Sequence, residues 1–190
     1  MMKLDIGSSK RPARGERICG DDFVIFSNHE ETIIALADGL GHGPKAAEAA
    51  QAFCHYVEEC QIHSLEEIIA GAHAHIRSTR GTVAGIVRIN ANLKQIEFSG
   101  VGNIELKCIS QEPICPVSMP GIIGHRLHKT KLFSYKVNVG DLFILFSDGI
   151  SSKFELEKYS HFNVQQIADA VLQDYEKYYD DRTCIVIRCS

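Results

Sequence analysis

The stretch from Thr32 to Pro44 constrains this chain more than any other. It reads Thr-Ile-Ile-Ala-Leu-Ala-Asp-Gly-Leu-Gly-His-Gly-Pro. Its first six residues, five of them apolar, predict a strand buried on both faces. Asp38 stands where that strand ends, and Gly39, Gly41 and Gly43 follow it. Pro44 suits the first turn of a helix, where its missing N–H would go unpaired in any case. A carboxylate leaving a buried strand is costly unless something offsets its charge. Two arrangements answer that cost. One is a seat for a hard metal ion, with glycine backbone close by. The other is a tight strand-to-helix turn in which Asp38 bonds loop amides. This stretch by itself leaves both open.

Composition narrows the classes. The 190 residues suit one domain, 1–190, with a sizeable core. A net charge of -4 provides no basic excess for nucleic-acid phosphates. No apolar run reaches the length of a membrane span, and the first residues lack the apolar core of a signal peptide. The seven cysteines are odd in number and contain no Cys-x-x-Cys, which predicts reduced thiols in a cytoplasmic protein. His73 and His75 are two apart and would point to different sides of a helix. No His-Glu-x-x-His occurs, so a histidine-based metal site is discounted.

Along the chain, apolar runs predict about nine strands, with short turns between most of them. Residues 23–26 and 32–37 read as a hairpin. Helical periodicity marks residues 44–62, 64–79 (opened by a Ser64/Glu67 capping box) and 163–175. Residues 2–6 read as an edge strand, residues 8–17 as an exposed basic loop, and residues 110–129, rich in Pro and Gly, as mostly loop. Residues 142–146, Leu-Phe-Ile-Leu-Phe, form the second strongly buried strand and lead into Ser147-Asp148-Gly149. Consecutive strands joined by short turns give mainly antiparallel sheets. Two such sheets packed together, with helices on the outer faces, make an α+β sandwich.

Acidic residues sit at four strand ends. Asp38 and Asp148 each follow a buried strand and precede glycine, while Asp21-Asp22 and Asp180-Asp181 each precede an apolar strand. The hairpin brings Asp21 and Asp22 towards Asp38. If all four positions converge, their repulsion calls for divalent cations. All-oxygen ligation favours magnesium or manganese over zinc. Two ions sharing one carboxylate can hold a bridging water and direct it in line at a phosphorus centre.

These same residues carry a family resemblance. Gly20-Asp21, Asp38-Gly39-Leu40-Gly41-His42-Gly43, Arg80-Gly81-Thr82-Val83-Ala84, Gly100-Val101-Gly102-Asn103, Ser147-Asp148-Gly149 and Asp180-Asp181-Arg182-Thr183 occur in that order. The chain resembles the metal-dependent Ser/Thr phosphatases of type 2C (PPM), in their SpoIIE-like branch, from about Cys19 to Ile187. The resemblance implies a four-layer α-β-β-α sandwich with a centre for two Mn2+ or Mg2+ ions. It implies that Asp38 bridges the ions, that the Gly39 carbonyl binds one, that Asp148 and Asp180 hold the first and that Asp21 serves the second. Asp22 ranks lower, and Asp181 is expected behind the ligands. Thr82 and Ala84 are expected to line the core, and Asn103 a turn near the site. Many members carry a histidine two residues after the bridging aspartate; here that position is Leu40, so the general acid is unassigned. Arg17, then Arg14, are the candidates for binding phosphate. The flap of longer relatives is reduced.

The resemblance to stressosome phosphatases within this branch implies phosphorylated STAS-domain stressosome proteins as substrates and a feedback role in a bacterial stress response. Neither nucleic acid nor membrane is an expected partner, and a monomer is the default. The alternative is an inactive member that binds a phosphoprotein without turning it over. Its usual mark, a lost metal aspartate, is absent from this sequence. A nucleotide-binding loop is disfavoured because Lys45 follows Pro44 and not the required glycine.

Overall fold

The computed structural model describes residues 2–190. Eleven strands and three α-helices follow one another as β1 (Leu4–Arg11), β2 (Asp21–Ser27), β3 (Glu31–Gly39), α1 (Pro44–Glu59), α2 (Leu65–His75), β4 (Thr82–Asn90), β5 (Gln95–Val101), β6 (Glu105–Ile109), β7 (Gly121–Ile122), β8 (Arg126–Leu127), β9 (Phe133–Lys136), β10 (Leu142–Phe146), α3 (Val164–Tyr175) and β11 (Arg182–Cys189). One sheet has the order β2-β3-β4-β5-β9 and the other β1-β11-β10-β6, and every pairing in both is antiparallel.

Strand alternation builds the layers. In β3, Ile34 and Leu36 face the second sheet and pack with Phe143, Leu145, Ile185 and Ile187. Ile33, Ala35 and Ala37 face the other way, onto Phe53, Val57 and Ile69 of α1 and α2. Across the second sheet, Ile144, Phe146 and Val186 meet Ile167, Val171 and Leu172 of α3. The result is helix, sheet, sheet, helix. Both central strands are apolar throughout because each of their faces is covered, as the sequence predicts. The alanines of α1 (Ala46, Ala47, Ala49, Ala50) are buried and let the helix lie close to β2 and β3. Ser64 and Glu67 form the expected capping box at the start of α2.

Three segments differ from expectation. β1 continues to Arg11, past the expected edge strand, and Ala13 beyond it is buried. As the last strand of its sheet, β1 tolerates Ser, Lys and Arg on its open face, which hides its length in the sequence. Residues 121–127 contain a small hairpin, β7–β8, within the stretch read as loop. Strand β3 runs to Gly39, two residues past the expected 32–37, so Asp38 is still paired within the ladder.

Candidate metal centre

The alternation that fills the inter-sheet layer also places the site. Ile34 and Leu36 point between the sheets, and the next residue of that parity is Asp38. Asp21 lies directly opposite Asp38 in the β2–β3 ladder. From the other sheet, the inward series Phe143 and Leu145 continues to Ser147, and Ile187 and Ile185 continue to Thr183. The Ser147 hydroxyl donates to Asp21 Oδ2 across the sheets at 2.7 Å. The polar cluster therefore caps one end of the apolar layer.

Asp38, Asp148 and Asp180 line a pocket of about 360 Å³ together with Leu40, Gly41, His42, Val83, Asn103 and Tyr179. Asp21 and Asp181 lie buried, each 1% exposed. Asp181 Oδ1 accepts from the Ala13 N–H at 2.8 Å. Asp22, next in β2, faces the opposite side and pairs with Lys10 at 2.9 Å. Arg14 and Arg17 are exposed and do not line the pocket; the backbone N–H of Arg14 donates to the Tyr178 carbonyl.

Contacts between distant segments hold the frame. Asn103 Nδ2 donates to Asp148 Oδ2 at 2.6 Å. Thr82 Oγ1 donates to the Asp38 carbonyl at 2.6 Å. Lys177 Nζ donates to the Asp148 carbonyl. Arg182, only 7% exposed, pairs with Glu176 at 2.7 Å and donates to the carbonyls of Pro12 and Asp180. His42 Nδ1 lies 2.6 Å from Glu16 Oε1, which closes the 12–20 loop onto the glycine loop. The sequence gives no sign of the last two, because their partners are joined only by the fold.

Both Asp-Gly pairs have the same packing cause. A Cβ on Gly39 would stand 1.9 Å from the Ala46 carbonyl oxygen of α1, and one on Gly149 would stand 1.9 Å from the Asp181 carbonyl oxygen. Glycine lets a second backbone come into contact just behind each carboxylate.

The electrostatics favour a cation. Burial raises the Asp38 pKa, and Asp21, Asp148, Asp180 and Asp181 raise it further. Burial also raises Asp21, aided by Asp181 and Asp180 and opposed by the Ser147 and Thr183 hydroxyls. Asp148 is raised by burial and by Asp180, and lowered by Lys177 and Asn103. Asp21 Oδ1 and Asp181 Oδ2 are buried without a hydrogen-bond partner. Among the described residues, no loop amide donates to the Asp38 carboxylate, which argues against the capping-turn explanation for it. No three His, Cys, Asp or Glu side chains among the described residues are drawn together tightly enough to form a coordination group unaided. The donor set fits a hard divalent cation.

Residues 28–190 match the family described as Stage II sporulation protein E (SpoIIE). The chain belongs to this family of type 2C-like phosphatase domains. Among individual relatives, it is 32% identical to the phosphoserine phosphatase RsbX of Bacillus subtilis (strain 168) over 139 residues, which are 72% of this chain and 70% of that protein. A solved chain from work on the bacterial stressosome as a modular system controlling secondary messenger signalling is 31% identical. The match covers 98% of this chain and 100% of that one, with a TM-score of 0.93. The crystal structure of RsbX in complex with magnesium is 26% identical, covers 100% of both chains and has a TM-score of 0.87.

Proposed function

We propose that this chain is a metal-dependent phosphoprotein phosphatase, a single domain over residues 1–190, that hydrolyses phosphoserine or phosphothreonine. The observation that carries the reading is the meeting of Asp38, Asp148 and Asp180 around one pocket, with Asp21 paired across from Asp38. The likeness to RsbX, named as a phosphoserine phosphatase, supports it. Asp21, Asp38, Asp148, Asp180 and the Gly39 carbonyl hold two ions, Mn2+ or Mg2+. Asp181 stands behind the ligands, its backbone N–H donating to Asp180 Oδ1 and its carboxylate held by the Ala13 N–H, and Asp22 belongs to a surface pair with Lys10. When bound, the ions supply positive charge for the phosphoryl oxygens and activate the attacking water. Asn103 and Lys177 keep Asp148 in place. Arg17 and Arg14 lie outside the pocket, on the loop whose Glu16 reaches His42, and would meet a phosphate only from its rim.

The substrates are phosphorylated STAS-domain proteins of a stressosome, and dephosphorylation returns the stress response to rest. The stressosome chain of similar fold, 31% identical, supports that context. A cytoplasmic monomer fits this role, and no helix among the described residues is long and apolar enough to cross a membrane. The test is phosphate release in Mn2+ or Mg2+ by the wild type, Asp38→Asn and Asp148→Asn. These substitutions remove charge and little volume. Loss of activity by orders of magnitude in both variants is expected. A folded wild type without metal-dependent activity on small phosphates or phosphopeptides would overturn the reading.

A further inference from the structure

Two long stretches of this chain, residues 68–96 and 113–140, contain no Asp and no Glu, although the net charge of the whole is -4. The first stretch carries Arg77 and Arg80 between α2 and β4. The second carries Arg126 in the β7–β8 hairpin and Lys129 just after it. All four side chains are exposed. Among the described residues, none of the four takes part in an ion pair. Exposed cations on an acidic protein usually have carboxylates among them; these have none in either stretch.

The fold brings the two stretches together. The backbones of Thr82 and Ile123 exchange hydrogen bonds of 3.0 and 2.8 Å in a bridge between β4 and the hairpin. The Gly124 N–H donates to His73 Nδ1 of α2 at 3.0 Å. A Cβ on Gly81 would stand 2.6 Å from the His125 ring. Burial holds the His73 pKa below its usual value, and Arg77 and His125 lower it further. The end of α2, the Arg80-Gly81 turn and the hairpin therefore form one basic face. That face begins at the mouth of the aspartate pocket. The Leu40 N–H donates to the Gly81 carbonyl at 3.1 Å, and Arg80 Nη1 lies 3.0 Å from where a Cβ on Gly41 would stand. Leu40 and Gly41 both line the pocket.

We propose that this face docks an acidic surface of the folded phosphoprotein substrate, beside its phosphorylated residue, with Arg80 innermost and Arg126 and Lys129 further out. The inference rests on the phosphatase reading and adds the charge of the partner's surface and the residues that read it. A phosphorylated residue that enters the aspartate pocket brings the protein carrying it over the ground next to Arg80. Carboxylates on that protein supply the counter-charges that residues 68–96 and 113–140 withhold. Such complementarity guides encounter and fixes orientation. A face made of a helix end and a hairpin meets a folded domain and asks for no extended segment. Nucleic acid is the poorer occupant, because the chain is acidic as a whole and the face borders a pocket of carboxylates.

The experiment compares phosphate release from a serine-phosphorylated STAS-domain protein with release from p-nitrophenyl phosphate, which is too small to bridge the aspartate pocket and the hairpin. The double variant Arg126→Glu with Lys129→Glu is expected to lower kcat/KM on the phosphoprotein about tenfold and to change it less than about twofold on the small substrate. The small substrate also reports that the variant is folded with its centre intact. Raising salt from about 0.05 M to about 0.3 M is expected to lower the wild type's kcat/KM on the phosphoprotein and to leave the variant's nearly flat, because exposed charges are screened. The docking assignment is overturned if the variant changes both substrates alike or neither, or if salt acts equally on wild type and variant. It is also overturned if a fluorescent single-stranded RNA of about 20 nucleotides binds the wild type and not the variant, which would make the face a nucleic-acid site. A wild type active on the small substrate and inert on the phosphoprotein removes the occupant and leaves the phosphatase reading standing. A wild type inert on both in Mn2+ and Mg2+ refutes that reading, and the docking assignment with it.

Discussion

Replacing Gly149 by alanine is expected to damage the centre without touching a carboxylate. The new Cβ would lie 1.9 Å from the Asp181 carbonyl oxygen and 2.8 Å from its carbon, where real Cβ contacts stay beyond 3.0 Å. The Asp180–Arg182 backbone must retreat by about 1 Å. That backbone is held by Arg182 on Glu176 and Pro12 and by Asp181 on Ala13, so the retreat is resisted. Overpacking of this kind costs about 1–3 kcal/mol. For a chain of this size that lowers Tm by roughly 2–4 °C per kcal/mol. The functional loss is larger, since a displacement of about 1 Å at a catalytic group can cost on the order of a hundredfold in rate. The control is Gly140→Ala. Its Cβ meets nothing within 4 Å, and only the positive φ of 99° is strained. It is expected to cost about 1–2 kcal/mol and no activity. Differential scanning calorimetry and metal-dependent phosphate release on both variants decide the matter. If Gly149→Ala keeps wild-type activity, or if the two variants lose activity equally, close backbone contact is not what glycine provides behind Asp148.

Three further outcomes follow from the same geometry. Burial and mutual repulsion raise the pKa of Asp38, Asp21 and Asp148, so their contribution to the stability of the metal-free protein is present below the unfolded value of about 4 and is lost as pH rises through the folded values. Mn2+ binds the deprotonated carboxylates, so the gain in Tm on adding it should grow from about pH 5 to about pH 8; a gain that shrinks over that range contradicts the assignment. Arg182→Met leaves the largely buried Glu176 carboxylate with only the exposed Arg11 at 3.7 Å and is expected to cost about 1.5–3 kcal/mol in urea unfolding. A loss below about 1 kcal/mol would mean that the pair contributes no more than a surface one. Asn103→Ala removes the 2.6 Å bond to Asp148 and is expected to weaken Mn2+ binding about 10–100-fold, measured by calorimetric titration; unchanged affinity would place Asn103 outside the ligand-supporting groups.

The sequence by itself determined the layers. Apolar runs at residues 32–37 and 142–146 have no polar face, so both strands had to be covered on two sides, and helices with one apolar stripe were available to cover them. Short turns between strands dictated antiparallel ladders, and the 23–37 hairpin already put Asp21 beside Asp38. Tertiary structure decided the rest, because it depends on which distant backbones touch. The parity that turns Asp21 inward onto Ser147 and Asp22 outward onto Lys10 follows from register between sheets. The glycine after each aspartate proved to be a packing contact, with α1 behind Gly39 and the 181 carbonyl behind Gly149. Asn103 on Asp148, Glu16 on His42 and Arg182 on Glu176 and Pro12 each join segments that no local pattern links. Periodicity records only which face of an element is buried, whereas the polar frame of the site consists of single contacts between elements.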